Sequence, residues 1–156
     1  MEILALPDKH LRKPARNVLK VDGKIKALIA RMFQALKESD GVGLAGPQIG
    51  ENLNIVVLGF EPTEEQREKL HLSSVPKMVL INPQLVSTSK QVGVEEEGCL
   101  SVPGGKVTVP RFQKIQIKYL DENGWKRKFK ARGLLARIIQ HELDHLRGKT
   151  ITDYLH

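Results

Sequence analysis

The residues best suited to chemistry lie in the run Gln140-His141-Glu142-Leu143-Asp144-His145. His141 and His145 are four apart, so on a helix they stack on one face about a turn apart and can reach one metal ion. Glu142 sits about 100° round from His141, close to His145, where it can touch a metal-held water without being a ligand. Two neutral imidazoles and a proton-carrying carboxylate are what a metallohydrolase needs. The helix that must carry them is predicted from near Gly133 to Gly148. Leu134, Ile138, His141 and His145 share one stripe, and Leu135, Ile139, Glu142 and Leu146 the neighbouring one. Its buried face changes midway from apolar to metal-binding, and a core-facing His is costly unless something binds it.

Catalytic sites of this kind use three protein ligands and keep one position for water. Downstream of His145 only Asp153 and His156 are natural ligand types. Upstream, Glu95-Glu96-Glu97-Gly98-Cys99-Leu100-Ser101 offers carboxylates and the single thiol of the chain, in a turn-like stretch. A metal would convert that thiol to a bound thiolate. The stronger expectation is therefore a Cys99/His141/His145 site with water as fourth ligand.

Other elements must position these groups. Asp22 is a plausible N-cap for an amphipathic helix whose Ile25, Leu28, Ile29, Met32, Phe33 and Leu36 form one stripe, ended by Ser39-Asp40-Gly41. The small-residue stretch Gly41 to Gly50 follows; it lacks the spacing and the Lys of a phosphate loop. Within it Gln48, after Pro47, can offer its amide to an oxygen. Strands are predicted at Ile55 to Leu58, Met78 to Ile81 and Leu85 to Val94, with a charged surface insertion containing some helix from Glu61 to Pro76. Met1 to Lys20 reads as an extended surface segment. Gln113 to Leu120 alternates, Asp121-Glu122-Asn123-Gly124 turns, and Trp125 to Lys130 returns. Lys114, Lys118, Lys126, Lys128 and Lys130 then share one face of the hairpin, either solvated or docked on RNA.

With 156 residues, 40% of them hydrophobic and 28% charged, the chain is the size of one globular domain, expected to span residues 1–156. A net charge of +7 and a pI near 9.6 favour polyanionic partners. No apolar run suits a signal peptide or a membrane span, so a cytoplasmic or organellar setting without membrane partners is expected. One cysteine rules out an internal disulfide.

Gly41 to Gly50, Glu97-Gly98-Cys99-Leu100-Ser101-Val102-Pro103 and Gln140 to His145 together resemble, in order, the three signature motifs of the peptide deformylase family. Val109-Pro110-Arg111 and Gly133-Leu134-Leu135-Ala136-Arg137 also resemble that family, and the likeness covers essentially the whole chain. It implies an α+β fold, with antiparallel sheets packed around a central C-terminal helix bearing the metal ligands. It implies removal of the formyl group from the N-terminal formyl-methionine of newly made polypeptides. Cys99, His141 and His145 would hold the metal, typically Fe2+, although the donor set also suits Zn2+, Ni2+ or Co2+. Glu142 would be general base and acid, and Gln48 with the Leu100 N–H the oxyanion hole. Val42, Gly43 and Gly98 would meet the peptide, and Leu134 and Ile138 are candidates for the methionine pocket. Glu97 and Arg111 could form an ion pair steadying the Cys99 loop.

Two departures from the family pattern stand out. Gly46, where the family often has Ala, predicts looseness beside Gln48. Gly104-Gly105-Lys106 replaces a more usual polar or acidic pair followed by Arg, at the rim of the groove. Two rival readings use the same residues: a metallopeptidase cutting ordinary peptide bonds, and a basic RNA-binding domain with a structural metal. The upstream Cys and the presence of Glu142 favour the deformylase. The basic charge would then serve ribosome association.

Overall fold

The computed structural model describes residues 2–155. In chain order it contains α1 (Gly23–Glu38), β1 (Gly43–Ala45), β2 (Ile55–Phe60), α2 (Glu64–Leu70), β3 (Val75–Thr88), β4 (Val92–Cys99), β5 (Val102–Phe112), β6 (Lys114–Leu120), β7 (Lys126–Arg132) and α3 (Gly133–Leu146). Five strands form an antiparallel sheet in the order β1-β2-β3-β6-β7, and β4 pairs with β5 in a separate hairpin.

The sheet separates the two long helices, and β2 shows how. Ile55 and Val57 pack with Leu28, Ile29, Met32 and Leu36 of α1, while Val56 and Leu58 pack with Ile138, Ile139 and Leu143 of α3. A strand covered on both faces loses polar alternation and reads as a continuous apolar run. α1 starts as expected, with the Asp22 carboxylate accepting from Ile25 N–H at 3.1 Å. The insertion forms α2, capped by Thr63 and Gln66.

Three expectations about strands are corrected. Leu85 to Val94 is not one strand, because β3 ends at Thr88 and β4 starts in the other sheet at Val92. β3 is also longer than its apolar core. A register shift follows Ile81, where Asn82 takes a positive φ and its side chain clamps the backbone of Val18 at 2.8 and 2.9 Å. β5 was not expected, since Pro103, Gly104, Gly105 and Pro110 obscure the alternation that buries Val107, Val109 and Arg111.

Residues 2–20 are also more than an extended surface segment, Met1 lying outside the described residues. Leu11 is fully buried, Leu4 N–H donates to the Gln48 carbonyl at 2.6 Å, and Leu6 N–H donates to the Ser101 carbonyl at 2.9 Å. The segment thus ties together two loops that border the candidate site.

Candidate metal centre and active site

α3 brings His141, Glu142 and His145 to the meeting point of β1, the end of β4 and the turn after Gly46. Cys99 is the last residue of β4, beside the Leu100-Ser101 turn, and its Sγ lies 3.3 Å from His145 Nε2. One donor atom each from Cys99, His141 and His145 falls within 4.8 Å of the others, the only such grouping among the described residues. The remaining candidates are outside this grouping: Asp153 is bound by Arg12 at 2.7 and 2.8 Å, Glu95 is an exposed partner of Arg137, and Glu97 bonds His141 Nδ1 at 2.8 Å. His156 falls outside the described residues.

A thiol and two imidazoles around one point fit a divalent first-row metal. Burial, with the neighbouring His141 charge, pushes His145 down to about 3, so its ring is neutral and free to ligate. Burial also opposes a charge on His141, but Cys99 and Glu97 outweigh it and hold that ring up to about 10. A cation bound between them would take the place of that proton. His145 Nδ1 and Glu142 Oε1 are buried with no hydrogen-bond partner in the protein. Burial raises the Glu142 carboxyl to about 7, near where a group can both take and give a proton.

Gln48 is held for donation. Its Oε1 accepts from Ala45 N–H at 2.9 Å, which turns Nε2 toward Ser101 Oγ at 3.1 Å and the Cys99 sulfur at 3.9 Å. Gly46 is not loose: a Cβ there would stand 2.5 and 2.6 Å from the carbonyl oxygens of Leu53 and Glu51. The backbone of the following turn occupies the volume an alanine methyl would need. Gly43 is constrained from the other side, since its Cβ would meet Glu142 Oε2 at 2.8 Å. The missing side chain makes room for the carboxylate.

Behind the donors lies a buried ionic network. Glu97 accepts from His141 Nδ1 at 2.8 Å, from Arg111 at 2.9 and 3.0 Å, and from Arg137 at 2.6 Å. Arg111 continues to Asp144 at 2.6 Å, and the Tyr154 hydroxyl donates to the same Asp144 oxygen at 2.6 Å. Arg137 also donates to the carbonyls of Val109 and Gly93, both at 2.9 Å. Desolvation opposes the Glu97 charge, but the hydrogen bonds from His141 and Arg111 bring its carboxyl down to about 2. Both members of the expected Glu97–Arg111 pair are buried, so it is not a surface salt bridge. Arg137 and Asp144 stand in motifs quoted above without a role of their own, and Tyr154 escaped the sequence reading. Arg137 carried a faint signal as a cation one turn before His141, in the otherwise apolar first half of that helix.

A cleft of about 580 Å³ opens over the three donors, within the usual range for a ligand site. Val42, Gly43, Gln48, Gly98, Cys99, Leu100, Leu134, Ile138, His141 and Glu142 all line it, so the expected site residues converge, with His145 buried beneath. Leu134 is 55% exposed at the cleft edge rather than in the core, whereas Ile138 is buried. β1 is an edge strand. Val42 spends its carbonyl on Gly59 N–H, so by antiparallel alternation Gly43 turns its own N–H and C=O to the free edge.

Comparison with known proteins gives this arrangement a relationship. The polypeptide deformylase family model matches residues 1–156. A peptide deformylase of Microchaete diplosiphon is 40% identical over 153 residues, 98% of this chain and 78% of that protein. The peptide deformylase of Ehrlichia chaffeensis superposes with a TM-score of 0.90 at 38% identity, covering 100% of this chain and 88% of that one. The Synechococcus elongatus enzyme, solved with actinonin, gives a TM-score of 0.87 at 37% identity, covering 100% and 79%. With its fold and motifs shared along its length, the chain belongs to the polypeptide deformylase family.

Proposed function

We propose that this metal-dependent hydrolase removes the formyl group from the N-terminal formyl-methionine of new polypeptides by holding one divalent ion on Cys99, His141 and His145. The observation that carries the reading is the convergence of these donors beside a buried, unpartnered Glu142 oxygen at the floor of the cleft. Fe2+ is proposed as the native ion, with Zn2+, Ni2+ or Co2+ able to replace it. When bound, the ion supplies Lewis acidity and makes a nucleophile available from water at neutral pH.

Glu142 takes the proton released as water adds to the formyl carbon, then gives it to the amine nitrogen as the C–N bond breaks. Formate and a free methionine amine leave. Gln48 Nε2 and the Leu100 N–H donate to the formyl oxygen as it gains charge, and losing one such donor costs about 2.7–4 kcal/mol of barrier. Gly43 pairs with the peptide backbone as an added strand, aided by Val42 and Gly98 on the cleft walls. Leu134 and Ile138 provide apolar surface for the methionine side chain. Glu97 fixes the His141 ring, and Arg111 fixes Glu97.

The test is formate release from a formyl-methionyl peptide by protein prepared anaerobically with iron, and then with zinc. Release from the formylated peptide without cleavage of its peptide bonds supports the reading; peptide-bond cleavage instead supports the metallopeptidase. Nascent chains place the enzyme at the ribosome, in a cytoplasmic or organellar compartment. Absence of co-sedimentation with ribosomes at low salt would remove that part. No described helix is long and apolar enough to cross a membrane.

A further inference from the structure

We infer that the β6–β7 ribbon is an RNA-docking surface that binds the phosphate backbone exposed on the ribosome. The inference rests on the nascent-chain reading for the partner's identity, and on the ribbon itself for the place of contact. Register puts Lys114 opposite Arg132, Lys118 opposite Lys128, and Lys130 opposite Gln116, while Lys126 faces Leu120. Six cations thus stand on one face of two adjacent strands, stepping about 7 Å between alternate residues. None of the six has an acidic partner among the described residues; Arg127, on the other face, holds the Asp121 carboxylate.

Edge protection does not explain this pattern. Lysines blunt a free strand edge, and β7 is such an edge. β6, however, is paired on both sides, and its Lys114 and Lys118 extend the charge inward. Directly opposed like charges such as Lys118 and Lys128 destabilise a sheet. A chain that accepts that cost has a polyanion as the natural neutraliser.

The surroundings favour RNA over a lipid surface or an acidic protein. The next residues on this face are Gln84, opposite Lys118, and Ser87, opposite Gln116, so polar donors adjoin the lysines. From the Lys114–Arg132 pair to the Lys118–Lys128 pair no apolar side chain of the ribbon stands on this face to enter a bilayer or seal a protein interface, and Leu120, beyond them, is packed against the α1 core. The opposite face of the ribbon, through Ile115, Ile117 and Ala131, packs with α3. RNA bound to the lysines therefore leaves the cleft over His141 and Glu142 open to peptide.

The experiment compares metal-loaded wild type with two triple variants. One is Lys118→Gln, Lys128→Gln, Lys130→Gln on the ribbon. The other is Lys9→Gln, Lys13→Gln, Lys149→Gln, equal in charge and exposed elsewhere. Binding of an unstructured 20-nucleotide RNA is followed by fluorescence anisotropy across a salt series, alongside pelleting with purified bacterial ribosomes and capture by anionic phospholipid vesicles. The expected result is that the ribbon variant's slope of log affinity against log salt is shallower by about 2. It also pellets poorly with ribosomes, while kcat/KM on a formyl-methionyl peptide stays at the wild-type value. The second variant behaves as wild type in every assay.

Equal weakening of both variants, wild-type pelleting of the ribbon variant, or capture by vesicles but not RNA would each overturn the assignment. Failure of the deformylase reading shows separately, as absent formate release by wild type, and leaves the RNA comparison readable.

Discussion

The interior arginines and the ribbon lysines put cationic charge to opposite uses. Arg111 and Arg137 are buried, and each of their short hydrogen bonds ends on Glu97, Asp144, Tyr154 or a backbone carbonyl. Lys118 and Lys128 face each other in the open with no acid beside them. A forked guanidinium can hold two carboxylates in fixed directions, which is what orienting His141 requires. A flexible ammonium holds nothing in place but carries charge outward. A net charge of +7 is therefore not one property here. Part of the basic count neutralises buried acids around α3, and six of the exposed cations are gathered on one face of β6 and β7.

Breaking the inner cluster should have the largest effect. Arg111→Ala leaves Glu97 and Asp144 buried without their shared cation, and is expected to cost about 3–5 kcal/mol in denaturant unfolding. Its metal content after dialysis should fall as well; full retention would detach the network from the metal centre. The pH dependence sharpens the same point. Glu97 is depressed in the fold from an ordinary 4.5 to about 2, so its contribution to stability is present above 4.5 and lost as pH falls toward 2. The stability gap between wild type and Glu97→Gln should therefore be widest near neutrality and close over that window. A gap constant from pH 6 to pH 2 would show that Glu97 is not ionised in the fold.

Gly46→Ala comes next. Its methyl meets backbone rather than a movable side chain, so a loss of about 1–3 kcal/mol is expected, with a fall in kcat as Gln48 shifts. An unchanged melting temperature would restore the looser picture drawn from the sequence. The smallest effect belongs to the ribbon. Lys118→Gln relieves a like-charge pair and should leave stability unchanged or raise it by roughly 0.2–1 kcal/mol at low salt, the opposite sign to Arg111→Ala.

What could be read in advance follows from how local each signal is. α1 was legible because its stripe and its Asp22 cap lie within one helix. His141, Glu142 and His145 were legible for the same reason, the need for a third ligand led from them to Cys99, and the family resemblance gave Gln48 its role. β5 and the far end of β3 were hidden because Pro, Gly and the Asn82 bulge interrupt period-two patterning. The expected Glu97–Arg111 pair extends to Arg137, Asp144 and Tyr154, and that extension was hidden because its members come from α3 and the C-terminal turn and no fixed spacing links them to the pair. Gly46 was misread because the space around a glycine is set by backbone several residues away.

The proposed chemistry has Glu142 move protons beside a metal held by Cys99, His141 and His145. The most direct measurement is formate release from a formyl-methionyl peptide by Glu142→Ala, with metal content determined on the same preparation. The expected result is one ion per chain retained and a rate lowered by about 10²–10⁴-fold. A Glu142→Ala protein that keeps its metal and deformylates at the wild-type rate would contradict it.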